Sequence, residues 1–290
     1  SVFNFQITHE AQIWEQAGND LFISGDEVIV PPYFPNHETV RKDMAINYSN
    51  LIRMDQELGQ RIKELKDEGL YDDAYIFFYS DHEGPFPRHK RAIYETGTKV
   101  PFLVKFPGGK NEKVNKKQLL SFVDLAPTVL SIAGVKSPSE YQGFAFLGKN
   151  KSKIEREYLY TSSDRFDNVP DRIRAVRDSK FKYIRNYNPE NPHALNVLYR
   201  KQMLLMRHLT SLHLTGKLDE KSANWFMSPR LMEELYDLEN DPFEVNNLSL
   251  NDNYENELIY HRNLMNDWMK EIDDLGSIPE KELIKLISDE

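Results

Sequence analysis

The 290-residue chain contains no cysteine. Disulfides, thiolate metal sites and a cysteine nucleophile are thereby excluded from it, although an oxidising compartment is not. No stretch reaches the ~20 consecutive apolar residues needed to cross a bilayer, so no membrane span is expected. The opening "SVFNFQITHE" lacks the basic-then-apolar pattern of a signal peptide. The expectation is a cytoplasmic protein or, if a targeting segment preceded Ser1, a periplasmic, secreted or lysosomal one. Positive charge is also scarce: 37 Lys and Arg against 46 Asp and Glu give a net charge of −9. That argues against general nucleic-acid binding, which relies on a basic face. An anionic substrate must then be held by a local cluster of bases or by a metal. There is no internal repeat and no low-complexity tract. What remains, 40% hydrophobic and 29% charged residues, is the composition of a soluble globular chain with room for one large domain or a domain and a smaller companion.

From Asp43 to Lys66, the residues Leu51, Met54, Leu58, Ile62 and Leu65 recur at three- and four-residue steps. The spacing predicts an amphipathic helix, with Gly69 as its stop. The continuous apolar run "AYIFFY" fits a strand buried on both faces, as in a parallel sheet. "KVPFLVKF" reads as a second strand, ended by Pro107-Gly108-Gly109. Asp124 is placed to cap a helix through "LAPTVLSIAG", with Pro127 in its first turn and Gly134 beyond its end. Helix, strand, loop, strand, helix is the grammar of an α/β layer, and ligands bind such sheets outside the carboxyl ends of the strands. The loop after Tyr79 leaves from such an end.

The polar, basic stretch 147–157 is read as a boundary, giving units 1–150 and 151–290. Beyond it, "EYLYTSS" and "IRAVRDSKFKYIRNY" predict short strands turning at Asp178-Ser179, and 194–214 and 253–275 predict helices. This second unit is expected to be a smaller α+β subdomain with a short antiparallel sheet.

The loop "SDHEGPFPRHKR" carries the chemistry. Adjacent Asp81 and His82 suit a divalent cation, although two ligands do not complete a site. Arg88 and Lys90 suit an oxyanion such as sulfate or phosphate. A solvated charged loop explains the same residues equally well at this point.

Neighbouring segments shift that balance. "NYSNLIRMDQELGQRIKELKDEGLYDDAYIFFYSDHEG", then "FVDLAPTVLSIAGV" with "YQGFAFLG", then "EELYDLENDPFEVNNLSL" resemble, in family order, blocks of the sulfatases of the alkaline phosphatase superfamily. "VPPYFPNHETVRKDMA", "PFPRHK" and "RAVRDSKFKYIRNYNPE" resemble the branch containing heparan N-sulfatases. The resemblance implies the C-terminal part of an α/β mixed sheet flanked by helices, followed by the smaller subdomain. It also implies calcium at Asp81 and His82 and sulfate contact at Lys90, nine positions after Asp81. His9, in "FNFQITHEAQIW", would bind sulfate or protonate the leaving group. The implied activity is hydrolysis of a sulfuric ester or N-sulfate, on a sulfated small molecule or glycan, by a formylglycine nucleophile.

Two departures stand out. Glu83 occupies the position where the family has glycine, and its carboxylate could join the ion or repel an anion. No Cys/Ser-x-Pro/Ala-x-Arg motif exists for formylglycine, since "SSDRF" and "SPRL" have the wrong spacing. The family's paired acidic ligands and its Lys and His pair are missing as well. The expectation is therefore a C-terminal portion, inactive alone, with the N-terminal part of the same protein as its partner. Two alternatives are a phosphoester or phosphonate hydrolase of the same superfamily and a non-catalytic binder of sulfated glycans.

Elsewhere the bland readings are preferred. His89 is expected to be an exposed neighbour of the cluster, and Arg172, Arg174 and Arg177 to be protective charges on edge strands. Trp14, Trp225 and Trp268 are expected in cores. Asp55 and Asp124 should cap or brace helices. His193, His208, His213 and His261 show no shared metal spacing.

Overall fold

The longest apolar periodicity becomes the longest helix. In the computed structural model, which describes residues 1–109 and 118–288, α1 (Ala11–Glu15) precedes α2 (Glu38–Asp67). α2 starts before the expected Asp43 because His37 caps it, its side chain accepting from the Thr39 amide. It ends ahead of Gly69, whose φ of +69° suits a residue without Cβ. Only its first half is buried, through Val40, Met44, Ala45 and Ile46.

β1 (Ile76–Tyr79) and β2 (Phe102–Lys105) flank the short α3 (Glu95–Thr98). They pair antiparallel, Ile76 opposite Lys105 and Tyr79 opposite Phe102. The parallel arrangement expected for the "AYIFFY" run is not found among the described residues. Neither strand is fully enclosed, Tyr79 being 40% and Leu103 62% exposed. An apolar run specifies neither the direction nor the number of a strand's neighbours.

α4 (Leu125–Ile132) follows, and Gly134 at φ +78° turns the chain beyond it. Asp124 braces this region without capping α4. Its carboxylate accepts from the Ser121 and Phe144 amides and pairs with Arg156 at 2.6 Å. β3 (Leu159–Phe166), β4 (Val169–Arg177), β5 (Phe181–Asn186) and β6 (Glu233–Asp237) form an antiparallel sheet in that order. The Asp178 carboxylate accepts from the Lys180 and Phe181 amides and so fixes the β4–β5 turn. α5 (Leu204–Leu214) and α6 (Glu220–Ala223) lie between β5 and β6, and α7 (Glu255–Glu271) and α8 (Glu280–Ser288) end the chain. α7 sends Leu258 and Met265 into a core shared with Val176, Tyr183 and Leu235.

The 147–157 stretch separates the two sheets in sequence, yet the apolar cores cross it. Ile13, Phe34, Val40 and Phe86 pack with Met203, Leu205, Leu209 and Trp225. Ile93 and Tyr94 pack with Ile173, Ile184 and Tyr236. Burying each such side chain stabilises by ~1.5–3 kcal/mol, so each half depends on the other. No described helix is long and apolar enough to cross a membrane.

Candidate functional site

The loop leaving β1 presents Asp81 to solvent, its side chain 90% exposed. Asp81 Oδ1 accepts from the His82 amide at 3.1 Å and lies 3.8 Å from His82 Nε2. Burial lowers the His82 pKa against the pull of Asp81, which favours the neutral, ligating imidazole. Its Nδ1 is buried and has no hydrogen-bond partner among the described residues. An exposed carboxylate beside a neutral imidazole with an orphaned nitrogen fits two ligands of a divalent cation. No group of three or more possible ligands exists among the described residues, so the remaining ligands would have to come from elsewhere.

The chain then folds back tightly, with the His89 amide donating to Phe86 O and the Lys90 amide to Gly84 O. A Cβ on Gly84 would sit 2.2 Å from His89 Nδ1. The glycine requirement therefore persists, one position later than the family pattern places it. Glu83 does not join Asp81: its carboxylate lies 3.1 Å from His89 Nδ1.

Lys90 meets His9 across 81 residues of sequence, Nζ to Nε2 at 3.2 Å. His9 Nδ1 accepts from the Ala11 amide at 3.2 Å. At 3.2 Å no atom fits between Lys90 Nζ and His9 Nε2, so an anion would have to meet the pair from the side. Glu10, buried at 5% exposure, supplies part of the compensation, 2.9 Å from Lys90 and 3.2 Å from Arg91. Lys90, Glu10 and Arg91 all act on the titration of His82, which places both halves of the loop in one electrostatic environment. The role of Glu10 was missed in the sequence, and its only signal there was adjacency to His9.

Arg88 lies away from this group, contrary to its expected place beside Lys90. It is 6% exposed, donates from Nη2 to Glu244 O at 2.6 Å, and sits over the rings of Tyr33 and Tyr94. A planar, weakly hydrated guanidinium is suited to such stacking. His89 is likewise interior, not exposed: its ring stacks on Phe34 and its Nε2 lies 2.8 Å from the Tyr33 hydroxyl. Arg88 and Arg91 both adopt φ of +66°, unusual for residues with a Cβ, and these two turns bracket His89 and Lys90.

The remaining candidates are structural. Arg172 and Arg174 stand on β4, an inner strand and not an edge, and pair with Asp274 at 2.6 and 2.7 Å. Burial tends to raise the Asp274 pKa, but hydrogen bonds from Arg174 and Arg172 overcome it and hold the group at about 2. Arg177 pairs with Glu95 at 2.7 Å. His193 pairs with Glu234 and His261 with Asp178. Trp225 is buried, Trp268 stacks on Tyr160, and Trp14 meets the edge of Tyr199.

The family model described as Sulfatase matches residues 9–135, and the one described as N-sulphoglucosamine sulphohydrolase, C-terminal, matches 86–204. An ulvan-active sulfatase of Formosa agariphila is 43% identical over 97% of this chain, which spans 47% of that protein. The N-sulphoglucosamine sulphohydrolase of Homo sapiens is 27% identical over 86% of the chain and 52% of its own length. The chain thus spans about half the length of these relatives. A protein solved in complex with its substrate D-glucosamine-2-N,6-O-disulfate shares the fold, with a TM-score of 0.56 and 20% identity over 84% of this chain and 44% of that one. Two family matches that overlap on the Lys90 loop, and a relative alike along almost the whole chain, show that it belongs to the sulfatase family, as a C-terminal portion.

Proposed function

We propose that the polypeptide carrying this chain hydrolyses the sulfuric ester or N-sulfate of a sulfated sugar. The observation that carries this reading is the convergence of His9 and Lys90, 3.2 Å apart, beside the loop that holds Asp81 and His82. The relatives are named for sulfated sugars, an ulvan-active sulfatase and an N-sulphoglucosamine sulphohydrolase, which supports that substrate class.

Asp81 and His82 would hold a divalent cation, calcium by the family pattern, completed by ligands from the N-terminal part of the same protein. When bound, the ion supplies positive charge that polarises a sulfate oxygen. Lys90 directs its ammonium at another sulfuryl oxygen and neutralises charge that builds there in the transition state. Glu10 fixes that ammonium in place. His9, in its protonated form, would be the candidate acid for the departing oxygen or nitrogen. The nucleophile, a formylglycine in the family, is expected outside this chain. Glu83 turns toward His89, which removes one of the two arguments for a non-catalytic glycan binder.

The test is sulfate release by the full polypeptide from a panel of sulfated sugars, with aryl phosphates and phosphonates run in parallel. Sulfate release that Asp81→Asn abolishes is expected. Preferential phosphate or phosphonate release would contradict the proposal. So would binding of sulfated sugars without any turnover.

A further inference from the structure

Between the loop after β1 and the four-stranded sheet lies a cavity of about 20 Å³, walled by Arg88, Arg91, Asp171, His193, Arg200 and Trp225. About 10–15 Å³ is enough for one water, so the space suits a small occupant.

The charges around it do not balance. Arg91 is paired with Glu10 and Asp167, Asp171 with Arg230, and His193 with Glu234. Arg88 and Arg200 have no carboxylate within ion-pairing distance among the described residues. They are 6% and 7% exposed, and each keeps an Nη1 without a hydrogen-bond partner among the described residues. The Arg200 guanidinium lies over Phe166 and Trp225, 4.1 and 5.1 Å from the ring centroids, and both rings also line the cavity. Burial, then the nearby Arg91, pushes the Arg200 pKa down to about 9, only partly offset by Glu10 and Asp167. Leaving a buried charge unpaired costs several kcal/mol. A water molecule would satisfy the N–H groups but not the charge.

We propose that this cavity binds a small monoatomic anion, chloride, through the Nη1 groups of Arg88 and Arg200. The site is separate from the His9–Lys90 pair and does not depend on the proposed reaction.

The test is thermal melting of the protein in sodium chloride against sodium gluconate at fixed ionic strength, gluconate being too large to enter. Chloride should raise the melting temperature. The rise is small below the dissociation constant; well above it, each tenfold increase in chloride multiplies the apparent folding constant about tenfold. Arg200→Met should remove the chloride response. Should that variant fail to fold, wild-type crystals soaked in bromide decide, with an anomalous peak expected in the cavity. Identical melting in the two salts, a chloride response that survives in Arg200→Met, or no bromide peak would each overturn the proposal and leave water as the occupant.

Discussion

Two lysines show how differently one side chain is used in this molecule. Lys182 on β5 lies between Glu95 at 3.2 Å and Glu244 at 3.5 Å, its side chain 2% exposed, while Arg177 closes on Glu95 from the other side. Lys90 also has a buried glutamate, Glu10 at 2.9 Å, but it faces the His9 imidazole and remains partly open to solvent. Around Lys182 the protein itself supplies the opposite charges. Around Lys90, Asp81 and His82 it leaves an exposed carboxylate, an imidazole nitrogen with no partner among the described residues, and an ammonium beside the His9 ring. Clustered charge alone does not mark a site; the difference lies in which groups still lack a partner.

The sharpest break in that comparison comes from Lys182→Met. It leaves Glu244 buried without its ammonium, and burial already raises the Glu244 pKa. Removing one partner of a buried pair typically costs ~3–5 kcal/mol, readable by urea denaturation. A loss under about 1 kcal/mol would show that the network is not a closed unit.

Asp43 adds a third case, a buried carboxylate with no cationic partner in contact among the described residues. Its Oδ2 accepts from the Leu205 amide at 2.7 Å, yet burial outweighs that bond and raises its pKa to about 6. The folded pKa exceeds the unfolded value of about 3.9. The native state therefore prefers the proton: this contribution to stability is fully present below about pH 4 and is lost as pH rises through about 6. Asp43→Asn keeps the acceptor and removes the charge. It should stabilise by about 2–3 kcal/mol at pH 8, because a tenfold change in proton affinity corresponds to ~1.36 kcal/mol, and by almost nothing at pH 4. An equal effect at both values would contradict the assignment.

Arg91 gives the smallest effect. It joins Glu10 to Asp167 at a half-exposed position, where such pairs contribute about 0–1 kcal/mol. Arg91→Ala should lower stability by about 1 kcal/mol in denaturant. A loss above about 3 kcal/mol would move it into the class of Lys182.

Much of the frame was legible in the sequence because it rests on local pattern. The three- and four-residue steps mark α2, the apolar runs mark β1 and β2, and Asp178-Ser179 marks the β4–β5 turn. β6 was not legible: "EELYD" looks like surface, since nothing local shows that Glu234 is satisfied by Asn186, Tyr94 and Tyr236. The interior fates of Arg88 and His89 were hidden for the same reason, because Tyr33, Phe34 and Tyr94 receive them from elsewhere in the chain. Within the candidate site, Asp81, His82 and Lys90 could be named from one loop together with the family resemblance. Glu10 as the counter-charge of Lys90 depends on a contact 80 residues away in sequence, which no spacing reports.

The central claim is that the Lys90 ammonium is held open for a sulfuryl oxygen while paired cations such as Lys182 and Arg174 serve the fold. Steady-state kinetics of Lys90→Ala in the full polypeptide, on one sulfated sugar and with thermal melting alongside, test it most directly. The predicted result is a kcat lowered about a hundredfold, ~3 kcal/mol of lost transition-state stabilisation, with KM and the melting temperature little changed. An unchanged kcat, or a loss of activity that merely follows a loss of folded protein, would contradict it.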